Sequence, residues 1–191
     1  MSQIQIKVSG DRQVLQVIGG LTGSLNDIRP VLAEIGEEMA ERTRQRFDTL
    51  TGPDGQPWAA NAESTFEQYL GRFRNSYNKD GTLSATGEKR KAGKKPLTGE
   101  TKALRTTINY QLVGNDTVSI GSPMDYAPYQ QYGTPAHTIL PKDKKALAFG
   151  GIVVRKVNHP GIPARPFLGF SDQDQADITD IVRGYFKPPE K

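Results

Sequence analysis

From Asp27 to about Leu50 the apolar residues Ile28, Val31, Leu32, Ile35, Met39 and Phe47 recur on one stripe of helical period, with polar residues between them. A stripe of this length predicts one long amphipathic helix, and such a helix has to bury its apolar face against a second layer. Both ends are marked. Asn26 and Asp27 can cap the start, and Pro30 falls in the first turn, where its missing N–H removes no helical hydrogen bond. Arg42, Arg44 and Arg46 lie toward the negative pole of the helix dipole, and Gly52-Pro53 stops the helix. These arginines suit either a solvated face or a subunit contact.

The second layer reads as antiparallel β-structure. Ile4, Ile6 and Val8 alternate with Gln3, Gln5, Lys7 and Ser9 as in a half-buried strand that ends at Gly10-Asp11. Residues 14–25 suggest a further short element, interrupted by Gly19-Gly20 and Gly23. Leu104 and Ile108 share a helical face, and Tyr110–Val113 and Thr117–Ile120 flank a Gly-Asn-Asp turn as a hairpin. A second pair, 145–149 and 152–157, is joined by Gly150-Gly151. Ser171 and Asp174 then form a capping box for a last helix with the stripe Ile178, Ile181, Val182 and Tyr185, ended by Pro188-Pro189. The fold class is α+β: an antiparallel sheet packed by the long N-terminal helix and a C-terminal helix, with a long extended insertion. Residues 1–50 and 99–187 make up a single domain around an arm at 51–98.

That arm opens with Thr51-Gly-Pro-Asp-Gly-Gln-Pro-Trp58, a tight turn ending on the only tryptophan. Trp58 fits a core position or a subunit-contact anchor, and the reading favours the contact. Past Tyr77 apolar residues almost vanish, so residues 75–95 are expected to be mobile in the free subunit. Lys89, Arg90, Lys91, Lys94 and Lys95 against Glu88 give this stretch a net charge of +4, equal to the formal charge of the whole chain. The expectation is one basic loop on a neutral body that makes an assembly or DNA-proximal contact, or is simply solvated, and contributes nothing to the fold.

Several function classes drop out. Cysteine is absent, which removes disulfides, thiol nucleophiles and sulfur-ligated metals. His137 and His159 have no recognisable ligand spacing, so no metal is expected. No glycine loop has the context to hold a nucleotide phosphate, and no catalytic constellation is ordered by the sequence, so neither a cofactor nor an enzyme is expected. No apolar run approaches the roughly 18 residues of a membrane span, and no basic-then-apolar leader stands at the start, so no membrane contact is expected. Sequence-blind DNA binding through residues 88–95 is the alternative function, although no recognition helix or stacking platform accompanies the cations.

Tyr126-Ala-Pro-Tyr-Gln-Gln-Tyr-Gly-Thr134 is a short aromatic turn. Tyr126, Tyr129 and Tyr132 fall on one side of a helical or 3₁₀ turn that Gly133 ends, either as rim packing or as a binding platform. Ile152–Arg155 follows as a strand, and His159–Phe167 is Pro-rich and extended or turned. The subunit-interface candidates are therefore Arg42, Arg46, Trp58, Tyr126, Tyr129, Tyr132, Arg165 and Phe167, with Lys89, Arg90, Lys91, Lys94 and Lys95 as basic-loop candidates.

Taken together, Thr51–Trp58 behind a long helix, Pro96-Leu-Thr-Gly99 before Leu104-Arg105, Val118-Ser-Ile-Gly121, Tyr126–Gly133 and Ile162-Pro-Ala-Arg-Pro-Phe-Leu-Gly169 resemble the landmarks of the phage virion-morphogenesis, or tail-completion, family of tailed bacteriophages. The resemblance spans roughly residues 27–186. Gln130 and Gln131 stand where the family often has His or Glu. The resemblance implies a viral structural protein of the neck or head-proximal tail end, a tail-completion or tail-terminator subunit in head-tail joining. It also implies a homo-oligomeric, hexameric ring that meets other neck and tail-tube proteins and contacts DNA passing through the channel. Its place would be the virion, after assembly in the host bacterial cytoplasm.

Overall fold

The long stripe folds as α1 (Arg29–Thr49), with Pro30 in its first turn and the Asp27 carboxylate accepting the Arg29 N–H at 2.9 Å. The computed structural model describes residues 4–7, 27–149 and 152–185. Val8, Asn26 and the element expected at 14–25 lie outside them, as does Pro188-Pro189. The helix ends at Leu50, which takes a left-handed φ of 60° and returns its N–H to the Arg46 carbonyl at 2.8 Å. Of the stripe expected from the sequence, Val31, Ile35, Met39 and Phe47 are buried and Ile28 and Leu32 half-buried, and Ala40 joins the buried face.

What α1 covers is a three-stranded antiparallel sheet. Strand β1 (Ile4–Lys7) pairs with β3 (Thr117–Ser122), which pairs in turn with β2 (Asn109–Val113). The contact between helix and sheet is close at Gly36. A Cβ there would stand 2.5 Å from the Tyr110 ring and 2.9 Å from a Val118 methyl, so a side chain is excluded by the sheet itself. The chain reaches β2 through α4 (Ala103–Thr106), and its Leu104 and the following Ile108 are buried.

Beyond β3 come α5 (Ala127–Tyr132), β4 (His137–Ile139), β5 (Leu147–Phe149), β6 (Ile152–Val154), β7 (Val157–His159) and α6 (Asp172–Tyr185). The pair β5–β6 is the hairpin expected from the sequence. The chain beyond it is not a continuation of β6: Val157–His159 leaves to pair with His137–Ile139, a segment that reads as loop. Three-residue strands are too short to show alternation. The capping box of α6 is formed, with Asp174 N–H donating to Ser171 Oγ at 3.1 Å and Ser171 N–H to the Asp174 carboxylate at 2.7 Å. Ile178 and Val182 of α6 join the core beside α1. The architecture is α+β, helices laid over an antiparallel sheet.

The arm differs from its expectation. It carries α2 (Glu63–Gly71) and α3 (Ala85–Gly93), so the basic stretch is helical over most of its length and not a loop. Ser84 caps α3, accepting the Gly87 N–H at 3.0 Å. Three cations lie on aromatic faces: Arg90 over Phe73 at 4.5 Å, Lys91 over Phe66 at 5.2 Å and Lys94 over Tyr69 at 5.0 Å. Lys91 also pairs with Glu63 at 2.6 Å. The surface that orders α3 therefore comes from aromatic rings earlier in the arm and from the aliphatic stems of the cations, which a count of apolar residues past Tyr77 leaves out.

Nor is the remainder of the chain evenly neutral. Lys142, Lys144, Lys145, Arg155 and Lys156 against Asp143 make a second basic segment, and Asp172, Asp174, Asp177 and Asp180 against Arg183 make α6 acidic. The first carries +4 and the second −3, so in sum they nearly cancel although they lie on different elements.

Candidate functional site

Ile162–Gly169 runs through the middle of the subunit outside any sheet, yet Phe167 and Leu168 in it are buried. Buried backbone groups need partners, and with no strand ladder available they are met by side chains from three other parts of the chain. The Pro166 carbonyl accepts the Trp58 indole N–H at 2.8 Å. Phe167 and Gly169 carbonyls accept the Arg46 guanidinium at 2.9 and 3.0 Å. The Gln131 amide closes the rest: its oxygen takes the N–H groups of Phe167 and Leu168, both at 3.0 Å, and its nitrogen donates to the Leu168 carbonyl at 2.8 Å.

Arg165 reaches the other way. Its guanidinium donates to the carbonyls of Ala59 and Ala60, each at 2.8 Å, and its own N–H donates to the Gln130 carbonyl at 2.7 Å. Burial pushes the Arg165 guanidinium down from its ordinary value, and its close partners are neutral carbonyls that do not restore it. Arg46 is also pushed down by burial, but in its case the Asp174 carboxylate pulls in the opposite direction through charge and a hydrogen bond. The two form a buried ion pair, with the Arg46 side chain 10% exposed and that of Asp174 2%.

Four of the interface candidates therefore belong to the interior. Trp58 is buried, its ring 5.2 Å from Phe47 in an edge-to-face arrangement. The turn that seemed to present it outward folds back on α1: Thr51 bridges Pro57, and Trp58 N–H donates to the Leu50 carbonyl at 2.8 Å. Phe167 is fully buried, and Arg46 and Arg165 are spent on backbone carbonyls. These residues are corrected to a clamp within one subunit. Arg42 is different: it is partly exposed and meets Glu38 at 2.9 Å and Asp177 at the seam of α1 and α6. Burial lowers its guanidinium, but the hydrogen bond from Glu38 and the charges of Asp177, Glu38 and Asp174 outweigh it, leaving a net rise.

The tyrosines face out. Tyr126, Tyr129 and Tyr132 are 43%, 54% and 69% exposed. They ride on a helix whose opposite side is locked by the buried Gln131 and Ala127, and which stops at Gly133 with φ 70°. A Cβ on Gly133 would also stand 2.6 Å from the Ile162 carbonyl oxygen, where Thr134 bridges Ile162. Three rings are thus held outside on a rigid support. The signal for Gln131 was in the sequence: in a helical turn it lies off the face that carries the tyrosines, and so points inward.

Among the basic candidates, Lys89 and Lys95 are exposed, while Arg90, Lys91 and Lys94 are the three held on rings. The two histidines come together unexpectedly, stacked across β4 and β7 with ring centroids 5.0 Å apart. His159 Nδ1 accepts the Gly161 N–H at 3.0 Å, and the Nδ1 of His137 lies 3.0 Å from the Pro135 carbonyl. Among the described residues no third ligand joins them into a metal-binding group, and no helix is long and apolar enough to cross a membrane.

Comparison with protein-family models gives a match over residues 10–187 to the one described as the phage virion morphogenesis family. Comparisons with curated proteins and with solved structures give no match. The matched stretch takes in the clamp, the aromatic helix and both hairpins.

Proposed function

This chain belongs to the phage virion morphogenesis family, and from that premise we propose that it is a structural subunit of the neck or head-proximal tail end, forming a ring that completes the tail and joins it to the head. Membership carries the general role in building the virion. The observation that carries the finer reading is the row of exposed tyrosines on α5. Rigid aromatic side chains held out on a locked element cost little entropy to bury against a partner, which is why such residues dominate interface energetics. A ring needs two different patches of one chain to meet, and α5 supplies one of them.

The competing reading, DNA binding through residues 88–95, has less behind it. Three of its five cations already lie on rings of the subunit's own arm. The deciding experiment removes the protein from the phage that encodes it and looks at the lysate by electron microscopy. Full heads and separate tails that join on adding the purified protein are expected. Normal joined particles in its absence would refute the role.

A further inference from the structure

Resting on the ring reading and making it more specific, we propose that the basic β5–β6 hairpin of one copy seats in the acidic groove between α1 and α6 of the next. Among the described residues the two strands pair with each other and with no other strand. On the hairpin's outer face Val153 is 71% exposed, opposite Ala148, also exposed. At its base stand Lys142, Lys144, Lys145, Arg155 and Lys156, all exposed, and among the described residues none of them takes part in an ion pair. This contrasts with Arg90, Lys91 and Lys94 of the arm, which are engaged within the chain.

The same chain carries a surface of opposite character. Where α1 crosses α6, an open groove of about 680 Å³ has Ala33, Tyr110 and Ile181 for its apolar part; Arg42 in it is already paired with Glu38 and Asp177, which leaves Glu34, Glu37 and Asp180 as the acids of its rim away from that pair. The exposed apolar pair Val153 and Ala148, with cations beside it, fits Ala33, Tyr110 and Ile181, with carboxylates beside them, in both respects at once. Such a pairing also meets the geometric demand of a ring, because hairpin and groove are different patches and each copy uses both. Opposite charges across the joint would steer successive copies into one register and disfavour hairpin-to-hairpin contact. The same free cations are what a DNA backbone would meet, but only the protein reading gives the groove a part.

The test uses two charge-reversed variants. One carries Lys144→Glu, Lys145→Glu, Arg155→Glu and Lys156→Glu; the other carries Glu34→Lys, Glu37→Lys and Asp180→Lys. Each is checked for a wild-type unfolding transition and then supplied to phage lacking the natural protein. Each alone now sets like charge against like, and the yield of joined particles should fall at least about tenfold. Supplied together, they can alternate around a ring with every joint complementary, and the yield should recover. If both fold and the mixture stays inactive, or if either works alone, the inference is overturned. Loss with the hairpin variant only, together with salt-dependent duplex binding by the wild type, would replace the groove with DNA. A second measurement does not depend on the reversals: the chain has no cysteine, so Val153→Cys with Glu34→Cys should give disulfide-linked copies in assembled particles. Rings containing the chain but no such link would leave the ring reading standing and this joint refuted. Particles that lack the chain at the neck would overturn both.

Discussion

Arg46 and Asp174 stand 128 residues apart in the chain and share one buried ion pair. Neither is there for the other alone. Arg46 also holds the carbonyls of Phe167 and Gly169, and Asp174 also holds the Ser171 N–H. Arg46→Ala therefore leaves a buried carboxylate and two carbonyls without their donor, and the expected loss is about 3–5 kcal/mol of unfolding free energy. Replacing both by apolar residues should recover only part of it, because the carbonyls and the cap stay unmet. Urea unfolding of the single and double variants checks this. A double variant as stable as the wild type would show that the backbone partners count for nothing.

Trp58 gives a prediction of the opposite sense from the one its position in a turn suggests. Trp58→Ala should cost about 3–5 kcal/mol of subunit stability through the cavity left beside Phe47. Trp58→Phe keeps most of the packing and loses the bond to Pro166, a carbonyl that would otherwise stay unpaired, for about 1–3 kcal/mol. Thermal unfolding of both variants in monomeric protein is the measurement. An unchanged melting temperature in Trp58→Ala would return the residue to an interface.

For the tyrosines the expectation reverses. Changing Tyr126, Tyr129 and Tyr132 to Ser should alter subunit stability by no more than about 0.5 kcal/mol per site, since the rings are exposed. Under the ring reading the same triple variant should fail to restore joined particles. Full complementation by the triple variant would remove α5 from the interface.

In the arm, Asp80 accepts the hydroxyl of Thr82 at 2.7 Å and its N–H at 3.0 Å. These bonds, the hydroxyl first, hold the carboxyl below its ordinary value of 3.8. A carboxyl depressed on folding stabilises the turn fully above its unfolded value, and that contribution is lost as pH falls through the lower folded value. The turn should therefore hold at neutral pH and loosen only in acid below about 3.8. Following the Thr82 amide by NMR during acid titration tests it, and Thr82→Val should move the Asp80 midpoint up. A midpoint unchanged by that substitution would mean the hydroxyl has no part.

Periodicity made the helices legible. The stripe of α1, the capping box of α6 and the turns of both hairpins are local patterns, and local patterns survive folding unless tertiary contacts override them. What failed depended on partners far away in sequence. Trp58 looked presented because the turn before it was visible and its acceptor at Pro166 was not. The cations Arg90, Lys91 and Lys94 read as free because Phe66, Tyr69 and Phe73 lie earlier in the arm, on and just beyond another helix. Arg46 and Arg165 read as interface candidates, but charge in a sequence says nothing about whether a carbonyl of the same chain or a neighbouring copy will meet it. The meeting of β4 with β7 had no signal that short strands could give.

The clamp also sets an order of events during synthesis. Trp58 and its acceptor are 108 residues apart, and at about 5–20 residues per second a ribosome takes on the order of 5–20 s to make that length. Throughout that time Phe47 and Trp58 exist without Phe167 to cover them, and the guanidinium of Arg46 waits for carbonyls that have not been made. The nascent chain therefore emerges with Phe47 and Trp58 uncovered and closes over them only once Ile162–Gly169 has been made. Until that segment exists, the unfinished chain carries open apolar surface that is available for non-native contacts.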